Sequence, residues 1–262
     1  MKLSLSGRLV EKSSTQSAMP VTDFIRLAAR YGYDAVDLRG SQVNPDTPSA
    51  VFAELKSVLQ SAGIAVFAGQ YHGKLADAAE EARFVEFAAK LADLGAFSIR
   101  MGAQPPVLKR AAQLVAPLGL RIHYQMHTNS PFETIDGAAK VLAEINEPNF
   151  GLVPEPANLA LAGLPFSRDM FEPLRGGIVG VHVQTLVVSP DGANALKLCD
   201  GREVRYTRVP YAENRHTPFA VFFDALREVG FDGYVNELEP MPAEGELENV
   251  VREAAAFLRP LL

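Results

Sequence analysis

A helical stretch that closes on a glycine or a short turn, followed at once by a strand, recurs along this whole chain. "VTDFIRLAARYG" leads into "YDAVDLR", "SAVFAELKSVLQSAG" into "IAVFAGQYHG", "AAEEARFVEFAAKLADLG" into "AFSIRMG", and "VLKRAAQLVAPLG" into "LRIHYQMH". The pattern continues with "PFETIDGAAKVLAEI" before "NFGLVPEP", "DMFEPLRGG" before "IVGVHVQTL", and "FAVFFDALREVG" before "GYVNELEP". "KLSLSG" adds an opening strand and "ELENVVREAAAFLRPLL" a closing helix, which makes eight of each. Strict alternation with short connections dictates parallel strands joined by right-handed crossovers. Eight such units in 262 residues predict an α/β fold, a single (β/α)8 TIM barrel over residues 1–262. An open doubly wound sheet fits less well, because no G-x-G-x-x-G follows the first strand.

Each unit is physically self-consistent. Gly32, Gly63, Gly95, Gly119, Gly177 and Gly230 stand where a helix needs a left-handed C-terminal residue. Phe84, Phe87, Ala88 and Leu91 make an apolar i, i+3, i+4 stripe with charges between them, as a helix covering a sheet requires. Residues 187–218 read as a loop far longer than a compact domain ordinarily carries, and hence as a lid or substrate loop.

"LRIHYQMH" (120–127) alternates cleanly. Ile122, Tyr124 and Met126 fall on one face, predicted to meet the helices; His123, Gln125 and His127 fall on the other, predicted to face the lumen. Barrel active sites lie at the C-terminal ends of strands, and other strands here also end in polar groups. These are Asp37 and Arg39, Gln70 and His72, Arg100, Glu155 with Asn158, His182 and Gln184, and Glu237 with Glu239. Together they predict a shared polar pocket.

Composition narrows the partners. A formal charge of -6 and a pI near 5.5 leave no basic stripe for nucleic acid. The single cysteine, Cys199, excludes an internal disulfide and fits a reducing, cytoplasmic setting. No run of about 18 apolar residues argues for a membrane span. The expected partner is a small molecule, and a homo-oligomer is compatible with the sequence.

A pocket rich in Glu, His and amides suits a divalent cation, with Glu155, His182 and Glu237 as ligands and Gln125 or Glu239 as further donors. Such an ion polarises a carbonyl and acidifies the neighbouring C–H, which favours enediolate chemistry with Glu155 or Glu237 as base. His72, Arg100, Gln125, His127 and Asn158 are the candidate substrate contacts. Arg215, beside His216 in the long loop, is positioned to close over the substrate. Arg39 and Arg100 either offset pocket carboxylates or bind an anionic group of the substrate, the salt bridge being the simpler role.

The motifs resemble those of the xylose isomerase-like TIM barrels, a group of sugar isomerases and epimerases. "YGYDAVDLR" is similar to the second-strand motif G-[YF]-D-G-[VI]-E-[LF], and "QMH" (125–127) stands in place of E-N-H. "PEPANLALAG" resembles the D-[PT]-[GA]-[NH] strand end, "VHVQTL" replaces H-[VI]-H-[LI]-K-D, and "GFDGYVNELEP" resembles the closing G-[YF]-D-G-[YW]-[VIL]-x-[IV]-E. The resemblance implies one divalent ion (manganese, magnesium, cobalt or zinc) held by Glu, Asp, His and Glu from strands five to eight. In this chain those positions read Gln125, Glu155, His182, and Glu237 or Glu239. It also implies isomerisation or epimerisation of a small carbohydrate through two carboxylates. Gln125 cannot serve as a base, and Thr185 replaces the seventh-strand Asp, so half of that device is missing. Two alternatives stand beside it: a metal-dependent lyase, dehydratase or glycoside-cleaving enzyme on an oxidised sugar, and a non-catalytic sugar-binding protein that has lost the metal centre.

Overall fold

The computed structural model describes residues 1–215 and 217–262; His216 lies outside the described residues. In chain order the strands are β1 (Lys2–Ser6), the short ribbon β2 (Glu11–Ser13) and β3 (Gln16–Ser17), β4 (Ala35–Leu38), β5 (Ala65–Tyr71) and β6 (Ala96–Met101). They continue with β7 (Arg121–Gln125), β8 (Phe150–Val153), β9 (Gly180–Val183), β10 (Leu186–Val188), β11 (Asn194–Lys197), β12 (Glu203–Arg208) and β13 (Tyr234–Glu237). Eight of them form one sheet in the order β8-β7-β6-β5-β4-β1-β13-β9. Its pairings are parallel throughout. The two edges, β8 and β9, meet through a bridge between Leu152 and Ile178 and through bonds such as Val179 N–H to Leu152 O at 2.9 Å. The eight-stranded sheet thereby closes into the (β/α)8 barrel that the alternation predicts.

The helices are α1 (Val21–Arg30), α2 (Ser49–Ala62), α3 (Ala78–Asp93), α4 (Pro105–Val115), α5 (Ile135–Ile145), α6 (Pro156–Leu161), α7 (Phe219–Glu228) and α8 (Leu247–Leu258). In α3, the Asp77 carboxylate accepts from Ala79 N–H and Glu80 N–H, both at 2.9 Å, and so satisfies two of the first-turn donors. Its stripe of Phe84, Phe87, Ala88 and Leu91 is buried against the barrel, each large side chain contributing about 1.5–3 kcal/mol. Leu91 sits so close to Gly69 of β5 that a Cβ there would lie 2.6 Å from its Cδ1. Among the described residues, no helix is long and apolar enough to cross a membrane.

The structure departs from the sequence expectations in three places. The sixth helix forms at Pro156–Leu161, directly after β8, whereas "DMFEPLRGG" holds only a 3₁₀ turn at Glu172–Leu174. Pro156 is an N1 proline with its φ already set for a helix, and a local pattern read at Asp169 cannot anticipate that. The left-handed glycine after this turn is Gly176 (φ 78°) and not Gly177. Finally, the segment read as a loop over 187–218 carries an antiparallel sheet, β10-β12-β11. Exposure along β12 alternates, with Val204, Tyr206 and Arg208 turned inward, and Tyr206 and Val204 pack with Leu186 and Leu196 onto Ala157 and Leu161 of α6. This small sheet roofs the C-terminal mouth of the barrel.

Candidate active site

The barrel lumen is built in layers. Val36 pairs with Val66 and Asp37 with Ala68, so Phe67 is an extra residue in β5, a bulge that turns its ring into the lumen. The ring stacks on His123 (5.5 Å, 10°), meets His182 edge-on (6.4 Å, 89°) and touches Tyr234 at 5.3 Å. Ser98 Oγ donates to Phe67 O at 3.0 Å, so the 3.0 Å contact between His123 Nδ1 and Ser98 Oγ has the imidazole as donor. Burial, reinforced by the charge of Arg100, pushes His123 down to about 3 and His182 well below its ordinary value. Both imidazoles are neutral at pH 7. They form an aromatic plug beneath the mouth.

Above the plug lies a polar relay. Glu155, at the end of β8 and the start of α6, is fully buried. Gln125 Nε2 and Asn158 Nδ2 donate to its Oε2, the latter at 2.7 Å, and Gln184 Nε2 donates to its Oε1. Each glutamine carbonyl then accepts from a guanidinium: Gln125 Oε1 from Arg100 Nη2, Gln184 Oε1 from Arg208 Nη1. Asn158 Nδ2 also donates to Met126 O at 3.0 Å, which ties α6 to the end of β7.

Over this floor opens a cavity of about 300 Å³. Arg8, Arg39 and Arg100 line one side of it, and Gln125, His127, Asn158 and Gln184 belong to the ends of β7, β8 and β9. Leu186, Leu196, Tyr206 and Arg208 line it from the roof. His127 is exposed to it, and its Nδ1 lies 2.9 Å from Thr128 O. That contact requires the proton on Nδ1 and leaves Nε2 as an acceptor.

The sequence candidates divide accordingly. Arg100, Gln125, His127 and Asn158 all line the cavity, and Glu155 lies directly beneath it. His182 does not join them; it lies one layer deeper, against Phe67 and His123, and Gln184 occupies the strand end in its place. Glu237 is buried outside this cavity, its Oε1 accepting Glu239 N–H at 3.1 Å, and burial followed by the charge of Glu239 pushes its carboxyl well up. Glu239 accepts Thr185 N–H at 2.7 Å, lies 4.0 Å from Arg208, and is pushed up to about 7 by burial. It lines a neighbouring cavity with Tyr211 and Met241. His72 lines another, with Gly40 and Asn44. Arg215 is exposed and, among the described residues, donates to the adjacent Asn214 O.

A divalent cation does not fit these residues. Among the described residues, no three His, Cys, Asp or Glu side chains converge on a point. The Glu155 carboxylate is engaged on both oxygens by amide N–H groups, and the surrounding cavity is lined by four guanidinium groups that repel a cation.

Arg8 and Arg208 are charged cavity residues that sequence reading did not name, and Gln184, named there among the polar strand ends, had no contact assigned to it. Arg8 follows the first strand directly and Arg208 closes the alternation in "EVRYTR", signals that are visible once the roof is known to be a sheet.

A family model, xylose isomerase-like TIM barrel, matches residues 106–261. Comparison with curated proteins gives no sequence match. Among solved structures, the chain is similar to a probable 3-DHS dehydratase, AsbF, from Bacillus anthracis, at 16% identity and a TM-score of 0.76, covering 99% of each chain. It is also similar to the IOLI protein, solved with a zinc atom bound, at 17% identity and a TM-score of 0.74, covering 100% of this chain and 98% of that one. A D-psicose 3-epimerase from Clostridium cellulolyticum H10, solved with D-tagatose, matches at 12% identity and a TM-score of 0.74, covering 100% and 99%. At these identities the likeness is one of fold.

Proposed function

The chain belongs to the xylose isomerase-like TIM barrel family, and from that premise we propose that it is a carbohydrate-modifying enzyme that abstracts a proton with a single base. The observation that carries this reading is the inventory of the cavity: among the described residues it is lined by one imidazole, His127, and by no Asp or Glu. In this reading His127 Nε2 takes the proton from a carbon next to a carbonyl or carboxylate of the substrate. Arg100 and Arg208 stabilise the negative charge that develops, as donors pre-oriented by their glutamine partners. Glu155 acts through others, holding Gln125 and Gln184 so that their carbonyls orient the two guanidinium groups.

One base suits elimination, or isomerisation on one face of the substrate. A two-carboxylate epimerisation needs a second carboxylate across the cavity, and Gln125 and Gln184 are neutral amides. The relatives whose names include an epimerase and a dehydratase support chemistry of this general kind. The test is solvent exchange: in D2O, candidate sugars and sugar acids are followed by NMR for deuterium uptake and for loss of water. Uptake by the wild type that falls at least a hundredfold in His127→Asn, with thermal stability unchanged, is the expected result. Equal exchange by that variant would remove His127 from the mechanism.

A further inference from the structure

Arginines dominate the cavity, and their own partners do not account for them. Arg39 gives Nε and Nη2 to Glu11 Oε2, at 3.3 and 3.1 Å. Arg100 gives Nη2 to a neutral amide oxygen, and Arg8 gives Nη1 to the Leu238 carbonyl at 3.3 Å. Among the described residues, neither Arg8 nor Arg100 has a carboxylate at salt-bridge distance. The Nη1 atoms of Arg39 and Arg100 are both buried with no hydrogen-bond partner among the described residues, and both residues line the same cavity.

Buried donors without acceptors are rare because each costs the desolvation of a polar group. Two of them on like-charged groups in one cavity compound that cost. The charges also feel one another: burial first, then Arg39, lowers Arg100 to about 10, and Arg8 is lowered by burial and then by Arg208. An oxyanion among these guanidinium groups offsets their mutual repulsion. Guanidinium forks match carboxylate and phosphate geometry, which a point charge does not.

We infer that the substrate is an anionic sugar derivative, its carboxylate or phosphate gripped by Arg39 and Arg100 of the barrel and by Arg208 of the roof, in a site that binds without a divalent cation. This rests on the carbohydrate reading above and narrows it. The arginine-rich side takes the anionic end of the substrate. Tyr206 of the roof is left for the polyhydroxylated end, and His127 for the carbon beside the carbonyl or carboxylate. Arg208 acts as a specificity residue that only the folded roof brings over the mouth, since Tyr206 and Leu186 seat the roof on α6.

The test is isothermal titration in the presence of EDTA with four probes: D-fructose, D-glucuronate, D-fructose 6-phosphate and inorganic phosphate. Binding of one or both anionic sugars with no detectable binding of D-fructose is the expected result, and the better of the two identifies carboxylate or phosphate as the recognised group. Arg100→Met and, separately, Arg208→Met should weaken that binding about ten- to a hundredfold. Arg110→Met, at an exposed ion pair with Glu81 on the outer helices, should leave it unchanged. Arg208 is part-exposed on the roof, so its variant keeps the test open if Arg100→Met fails to fold. D-fructose binding as tightly as the anions would overturn the inference while leaving the carbohydrate reading intact. Anion binding that disappears in EDTA would overturn it as well. Binding of inorganic phosphate with none of the sugars would uphold the anion site and overturn the carbohydrate reading.

Discussion

Gln125 and Gln184 donate to opposite oxygens of one carboxylate, that of Glu155, and each passes its own carbonyl on to an arginine. The result is a continuous chain from Arg100 to Arg208 across the floor of the mouth. Of the residues that sequence reading assigned to metal binding, Glu155 and Gln125 take part in holding these guanidinium groups, whereas His182 and Glu237 lie outside the relay.

Glu155→Gln should break the centre of that chain. A neutral amide cannot accept three N–H donors as a carboxylate does, and at least one buried donor would be left without a partner. The expected cost is about 2–4 kcal/mol by urea denaturation, with weaker anion binding by the same variant. Wild-type stability in Glu155→Gln would show that the relay carries no load.

Metal dependence is directly measurable. With Gln125 and Gln184 flanking Glu155, adding EDTA or manganese should leave the wild-type melting temperature unchanged. The double variant Gln125→Glu, Gln184→His sets a carboxylate and an imidazole beside Glu155 and should gain stability on addition of manganese, about 2.7 kcal/mol at a hundredfold excess over its dissociation constant. Scanning calorimetry of both proteins with and without the ion checks this. A wild-type protein that loses stability in EDTA would contradict the assignment of the floor to arginine support.

Glu239 predicts a pH dependence with a definite sign. Its carboxyl is pushed up to about 7 in the fold against an ordinary value of 4.5, so the folded state holds a proton that the unfolded state releases between those values. Its contribution is therefore fully present below pH 4.5 and is lost as pH rises through 7. Glu239→Gln, which cannot ionise, should be more stable relative to wild type at pH 8 than at pH 4.5, by up to about 3 kcal/mol. Urea midpoints for the two proteins at both pH values measure it. An equal difference at both would mean that Glu239 titrates alike in the folded and unfolded states.

The seam between α3 and β5 offers a packing test. Gly69→Ala puts a methyl 2.6 Å from Leu91 Cδ1 and should cost about 1–3 kcal/mol through overpacking. Adding Leu91→Val shortens the opposing side chain and should recover part of that loss in a double-mutant cycle. Additive losses, with no recovery, would place the cost elsewhere.

What the sequence determined by itself is the architecture. Helix and strand periodicities, glycine C-caps and strict alternation are local signals, and a parallel sheet with right-handed crossovers has few ways to satisfy eight of them. The alternation of 120–127 likewise assigned His123, Gln125 and His127 to the lumen, where His123 and Gln125 are buried and His127 meets the cavity. The order of side chains along the barrel axis was not local. Phe67, at a bulge in β5, packs against His182, and Gln184, two residues further along the same face, is the side chain that reaches the mouth. Sequence reading preferred Glu237 to Glu239, whereas the structure buries Glu237 outside the cavity and ties Glu239 to Thr185 N–H. The roof, too, came from tertiary structure: strands β10 to β12 hold Arg208 over the cavity because Leu186, Leu196 and Tyr206 find Ala157 and Leu161 beneath them. Periodicity fixes which face a residue takes; height along the barrel axis and partners across it depend on packing between segments far apart in the chain.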